Sequence, residues 1–180
     1  RDLEGYFNKQ NILISYICCK ILKLSEINFL KVVKTFRGLP FRASIIMNNK
    51  KYKIINNSKS TNLHSTISSL KGYNNIHLIL GGIAKDKNFS ILSKYKKQLN
   101  CVYIFGKSGL FIEKKLNKKL KVKRFKKLKS VVSHVLIDIK KNKSKSIILF
   151  APACSSYDQY KNFEERGKDF NMLIRNGLRL

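Results

Sequence analysis

Lys59 and Thr61 stand two residues apart in the string Asn57-Ser58-Lys59-Ser60-Thr61-Asn62, just beyond the strand-like run Tyr52 to Ile55. An ammonium beside a hydroxyl can clamp a carboxylate or a phosphate. A solvated Lys with a helix-capping Thr or Asn accounts for the same letters. Lys85 follows Gly81-Gly82, and paired glycines permit a tight turn or a close approach of backbone to ligand. A plain helix-entry turn gives that string too. Ser156 lies in the small-residue stretch after Ser146 to Phe150 (SIILF), where a helix is expected to start. Open N–H groups at a helix start favour an anion; an ordinary cap is the simpler account. Arg42 follows Gly38-Leu39-Pro40-Phe41 and suits either a phosphate contact or the surface. Asn8 and Asn11 fall one turn apart on an expected helix. They can face one ligand, such as a purine edge, or solvent. The string G-x-x-x-x-G-K-[ST] that cradles phosphates occurs nowhere in the chain.

The elements that must hold these residues follow from pattern. Helices are expected over residues 8–23 and 26–36, the second with Ser25 as N-cap. Gly38-Leu39-Pro40 breaks the pattern and marks a domain boundary. Strands are expected over 43–47 and 51–56, joined by the turn Asn48-Asn49-Lys50. From there the chain alternates: helix 62–71, strand 76–80, helix 89–99, strand 101–105, helix 108–117, strand 120–125, helix 127–141, strand 146–150 and helix 158–176. Continuous apolar strands between helices imply an α/β fold with a mostly parallel sheet covered on both faces. In such a sheet ligands bind at the carboxyl ends of the strands. Loops 56–62, 81–88, 106–109 and 151–158 lie there and carry the Gly and small-residue clusters. Lys141 to Lys145, at the other edge, is mainly solvating Lys and Asn.

Composition narrows the class. The chain has 180 residues, 38 Lys plus Arg against 10 Asp plus Glu, and a net charge of +28. That charge suits nucleic acid or an anionic membrane. However, the excess is Lys rather than Arg. Asn, Ile, Tyr and Phe are abundant too, and Trp is absent, as A/T-rich codons dictate. Reading bases calls for Arg, so no specific nucleic-acid partner is expected. The four cysteines and three histidines show no metal or disulfide spacing. Cys154 sits in the small-residue turn with no His nearby in sequence and suits packing better than nucleophilic attack. A reduced, cytoplasmic protein fits. The run Ile12 to Cys19 falls far short of the roughly 20 residues of a membrane span. A chain opening on Arg1 is expected to be a truncated or processed product.

Together these strings resemble one family. Gly5-Tyr6-Phe7-Asn8-Lys9-Gln10-Asn11, Phe36 to Arg42, Asn57 to Asn62, Gly81-Gly82-Ile83-Ala84-Lys85 and Pro152 to Gly167 match, in order and spacing, the C-terminal part of the D-glutamate-adding Mur ligases, the UDP-N-acetylmuramoylalanine–D-glutamate ligases of peptidoglycan synthesis. The resemblance runs from Leu3 to about Arg175. It implies that residues 1–37 end a central ATP-binding domain and that residues 38–180 form a Rossmann-like C-terminal domain. The missing N-terminal and central domains would belong to the same protein. It implies an ATP-dependent, amide-forming reaction through an acyl phosphate and a tetrahedral intermediate. Lys85 and Thr61 would hold the α-carboxylate of D-glutamate, and Ser156 with the backbone at Phe163 its side-chain carboxylate. Lys59 and Lys85 would act near the reacting groups. Arg42, Asn8, Asn11 and Asn57 would lie on the ATP side. Mg2+ is implied with ligands mainly in the central domain, and no metal site is expected here. The other partner would be UDP-N-acetylmuramoyl-L-alanine. The chain departs from the family at Phe7 and Phe41, where His is usual, and at Asn57, where Asp is usual. The rival reading is a non-catalytic remnant or binding domain of a degraded ligase gene.

Overall fold

The computed structural model describes residues 6–142 and 144–178. The chain divides into two units, Arg1–Leu39 and Pro40–Leu180. The first contains α1 (Tyr6–Ile21) and α2 (Glu26–Thr35). Ser25 caps α2, its hydroxyl accepting the Asn28 N–H. Tyr16 and Phe29 meet at 5.4 Å between ring centres. Two short helices bury little: Leu13, Ile14, Ile17, Ile27, Leu30 and Val32 stay exposed.

The second unit is a six-stranded sheet. Its strands are β1 (Ser44–Asn48), β2 (Tyr52–Asn56), β3 (Ile76–Gly81), β4 (Leu99–Phe105), β5 (Val122–Arg124) and β6 (Ser146–Phe150). Their order is β1-β2-β6-β3-β4-β5. Only β1 and β2 pair antiparallel. The pleat sends alternate residues to opposite faces. Ile147 and Leu149 join one apolar cluster, and Ile148 and Phe150 the other. This is why SIILF reads as an unbroken apolar run.

Each face is covered by helices whose spacing suits it. On one side lie α3 (Leu63–Leu70), a 3₁₀ helix (Phe89–Tyr95) and α4 (Gly109–Leu116). On the other lie α5 (Leu128–Lys140), burying Leu128, Val131, Val132, Val135, Leu136 and Ile139, and α6 (Phe163–Leu178). Phe170 of α6 stacks on Phe150 of β6 with ring centres 4.3 Å apart.

Two elements differ from expectation. Residues 89–99 are not an α-helix. Phe89, Leu92 and Tyr95 recur every third residue and all pack on the core, which suits three residues per turn. The last helix starts at Phe163, not 158. Residues before it form a turn in which the Ser156 carbonyl accepts the Gln159 and Tyr160 N–H groups. Asn162 then takes the cap, its Oδ1 accepting the Glu165 N–H at 2.7 Å.

His77 of β3 lies in a buried polar chain on the α5 side. The Tyr103 hydroxyl donates to Asp138 Oδ2 at 2.6 Å and contacts His77 Nδ1 at 3.0 Å; Asn142 Nδ2 contacts His77 Nε2 at 3.0 Å. With the tyrosine proton spent on Asp138, Nδ1–H donates to the hydroxyl and Nε2 accepts from Asn142. Neutral imidazole satisfies every partner. Burial lowers its pKa from 6.5 to about 4. The unfolded chain therefore binds more protons between those values, so stability is full above pH 6.5 and falls as pH drops towards 4. The loss should reach ~3 kcal/mol in urea melts. His77→Gln should flatten that part of the profile; an unchanged slope in the variant would show that other groups cause it.

Candidate functional site at the carboxyl edge of the sheet

Strand β6 lies between β2 and β3, and this placement opens the site. The chain leaves β2 for α3 and β3 for the 3₁₀ helix, both on one face, whereas it leaves β6 for α6 on the other. Neighbouring strands whose exits diverge leave a crevice at their carboxyl ends. The segments that line it are 57–62, 82–88 and 151–162.

These segments are bonded to one another as well as adjacent. Ile83 and Ser155 exchange backbone hydrogen bonds, each N–H reaching the other's carbonyl at 3.0 Å. Asp86 Oδ2 accepts the Leu63 N–H at 2.8 Å, joining the Lys85 loop to the start of α3 beside Thr61. The Asp158 carboxylate accepts the Lys107 N–H at 2.8 Å and brings in the loop after β4. Gly82 is required here: its φ is +125°, and a Cβ would strike the Ser155 carbonyl.

Beneath the crevice runs a side chain that sequence reasoning missed. Arg166 of α6 is fully buried. Its Nε donates to Ser58 Oγ at 3.1 Å and its Nη2 to the Ser58 carbonyl at 2.8 Å. Its Nη1 donates to the Cys154 carbonyl at 3.0 Å and the Gly81 carbonyl at 3.3 Å. One guanidinium thus ties the ends of β2, β3 and β6 to α6. Burial lowers its pKa to about 10, so it stays charged at neutral pH. The sequence did hold a signal. Arg166, Phe170 and Ile174 form one stripe at four-residue spacing, so the Arg occupies a position on the buried face.

The expected site residues fall as follows. Thr61 is half-buried and Lys85 exposed, in segments joined by the Asp86 bond. Lys85 makes no ion pair among the described residues. Ser156 is buried beside Ser155, and Phe163 opens α6, where first-turn N–H groups have no helical acceptor. Lys59 Nζ lies 4.2 Å from the centre of the Phe163 ring, and Ser58 Oγ donates to the Phe163 carbonyl at 2.8 Å. Hence Lys59, Thr61, Lys85, Ser156 and Phe163 share one edge of the sheet.

The residues expected near ATP divide differently. Arg42 is exposed between Phe41 and Ala43, both at positive φ. Asn57 is turned inward. Its Oδ1 accepts the Ala43 N–H at 3.2 Å and its Nδ2 donates to Ser69 Oγ at 2.7 Å, so it holds the Arg42 loop. Asn11 is exposed on α1; the Asn8 side chain lies outside the described residues, as does that of Phe7. Among the described residues, no group of three or more His, Cys, Asp or Glu is placed to hold a metal ion. Cys154 is buried, and burial pushes its thiol up to about 12, which suits packing. A cavity of about 380 Å³ lined by Lys50, Lys51, Tyr52, Lys140 and Lys145 lies at the opposite, amino edge.

A ligase from Buchnera aphidicola subsp. Acyrthosiphon pisum (strain Tuc7), UDP-N-acetylmuramoylalanine–D-glutamate ligase, is 39% identical over 178 residues, covering 96% of this chain and 39% of its own length. The ligase of that name from Rickettsia bellii (strain RML369-C) is 32% identical over 171 residues, covering 94% and 38%. The chain is homologous to part of the D-glutamate-adding Mur ligases. It spans about two fifths of the length of these curated relatives. No family model matches it. Two solved structures share its fold. A pseudomurein peptide ligase type C from Methanothermus fervidus superposes with a TM-score of 0.63 at 16% identity, over 96% of this chain and 36% of that one. A folylpolyglutamate synthase from Thermotoga maritima gives 0.56 at 21%, over 98% and 42%. Among the described residues, no helix is long and apolar enough to cross a membrane.

The close approach at Gly82 is directly testable. Gly82→Ala should lower stability by about 2 kcal/mol, from backbone strain and the forced withdrawal of Ser155. Chemical denaturation measures this. A variant as stable as the parent would mean that the two loops are not held so tightly.

Proposed function

We propose that this chain is the D-glutamate-binding part of an ATP-dependent ligase that joins D-glutamate to UDP-N-acetylmuramoyl-L-alanine. The observation that supports the reading is the set of bonds joining the segments that carry Thr61, Lys85, Ser156 and the α6 start at the carboxyl edge, in a homologue of these ligases. A dicarboxylic amino acid needs cationic or N–H donors at both ends. Lys85 and Thr61 would take the α-carboxylate. Ser156 and the Phe163 N–H, at the positive end of α6, would take the side-chain carboxylate. The amine is then left to attack.

In the full reaction ATP would transfer its γ-phosphoryl group to the alanine carboxylate. The amine of D-glutamate would add to that acyl carbon, giving a tetrahedral intermediate. Collapse would expel phosphate and leave the amide. The residues in hand would orient the amine and, through Lys59 and Lys85, stabilise negative charge; covalent catalysis is not required of them. Arg42, on a loop held by Asn57, would contact the ATP phosphates, with Asn8 and Asn11 towards the adenine. Residues 1–37 would be the end of the central ATP-binding domain and residues 38–180 the C-terminal domain. The exposed apolar side chains of α1 and α2 support that division, since such helices need a further partner. Mg2+ would be held mainly by the central domain, and the protein would work in the cytoplasm.

Lys85→Ala in the complete ligase should raise the KM for D-glutamate about 10-fold or more, the cost of one charged hydrogen bond. Ser156→Ala should do less, because backbone donors remain. Unchanged kinetics for Lys85→Ala would remove the pocket assignment. A second outcome follows from the absent phosphate-cradling motif: residues 1–180 alone should release no phosphate from ATP when both other substrates are present. Substrate-dependent release by the purified chain would contradict this.

A further inference from the structure

Arg166 accounts for more than the joining of three strand ends. A peptide unit directs its C=O and N–H in opposite directions. The three carbonyls that accept from Arg166 belong to peptides whose N–H groups are those of Lys59, Gly82 and Ser155. Each of these N–H groups donates onward to a different segment. Lys59 N–H reaches the Phe41 carbonyl at 3.0 Å, beside Arg42. Gly82 N–H reaches the Phe105 carbonyl at 3.2 Å, and Ser155 N–H the Ile83 carbonyl at 3.0 Å, two residues before Lys85. A cation on the carbonyl side polarises each peptide and strengthens the bond on its far side. The guanidinium is also left without a carboxylate at ion-pair distance among the described residues. Asp158, the acidic residue whose charge it feels, directs Oδ2 to the Lys107 N–H.

We propose that Arg166 is a positioning residue for the amino-acid substrate: through three polarised peptides it sets the Lys59, Lys85 and Ser156 segments at the spacing that takes both carboxylates. This rests on the pocket assignment above. The hydrogen bonds lie at the strand ends, and of the core rings the guanidinium meets Phe150, 6.0 Å from its centre, so loss of Arg166 should loosen the crevice and leave the sheet folded.

The test uses Arg166→Met, which keeps the apolar stem, and Arg166→Lys, which keeps the charge without the planar fork. Amide hydrogen exchange in this chain is the first readout. Both variants should speed exchange at Lys59, Gly82 and Ser155 at least about 10-fold more than at Ile79 or Tyr103 in the sheet centre. Kinetics of the complete ligase are the second. The KM for D-glutamate should rise about 10-fold or more, with Arg166→Lys between wild type and Arg166→Met, while the KM for UDP-N-acetylmuramoyl-L-alanine changes less than about 2-fold. Three results overturn the proposal: Arg166→Lys fails to fold, exchange rises uniformly across the sheet, or both KM values shift together. Lys85→Ala separates the two failures. If it raises the D-glutamate KM and the Arg166 variants do not, only the role of Arg166 falls. If Lys85→Ala has no effect but exchange still quickens at the three peptides, the pocket assignment falls and the loop-setting role remains.

Discussion

A positive charge buried without a carboxylate is costly, since desolvation of an ion far exceeds the worth of a single neutral hydrogen bond. Arg166 meets that cost by spreading its charge over Ser58, Gly81 and Cys154. The planar fork suits this task, because its donors leave in fixed directions and reach acceptors on three separate segments. A Lys at this position would offer one compact charge and could satisfy only one corner. The arrangement makes the strand ends depend on one another. None of the three segments can shift without leaving a buried donor unsatisfied.

The sheet topology supplies the setting. All outward steps of the chain cover one face, and the return through α5 to β6 covers the other. This is how right-handed crossovers are accommodated on both sides of one sheet. The return strand lands in the middle, which is what parts the loops above it. The contrast with the amino edge is instructive. That edge has a cavity and several lysines, and contacts such as Lys145 to Asn48 join distant parts of the chain there too. Positive charge is found at both edges of this very basic chain. Only at the carboxyl edge is it combined with a buried cation, a helix start and loops bonded into one frame.

Two departures from the family pattern acquire a physical sense here. The ring of Phe41 lies against Gly167 of α6, where a Cβ would collide with it. An aromatic residue therefore closes the base of the Arg42 loop by packing. Asn57 donates to a serine hydroxyl that itself donates to the Ser65 carbonyl at 2.8 Å. A carboxylate could not donate there. The amide suits this Ser69 partner, and the loop is held by a neutral group.

Much of this was legible in the residue order. Continuous apolar runs such as SIILF between helical patterns disclosed an α/β sheet, because burial on both faces removes the polar alternation of a one-sided strand. Punctuation by Gly38-Leu39-Pro40 marked a break between the two units. Small residues after strands gather at the carboxyl edge, where the proposed site lies, and the motif strings pointed to the ligase relatives. Local rules failed where a distant group intervened. The last helix starts late because Asp158 is bonded to the Lys107 N–H, 51 residues away, and Asn162 takes the cap. Asn57 faces inward because Ala43 and Ser69 stand beside it in space. Arg166 falls on the apolar stripe of its helix, but the partners of its charge exist only once the strand ends gather around it. Sequence determines which faces are apolar and which turns are possible, since these depend on neighbours along the chain. Only tertiary structure decides which carbonyls a buried cation meets, because two of the three lie 85 and 108 residues from it and become adjacent only when β6 inserts between β2 and β3.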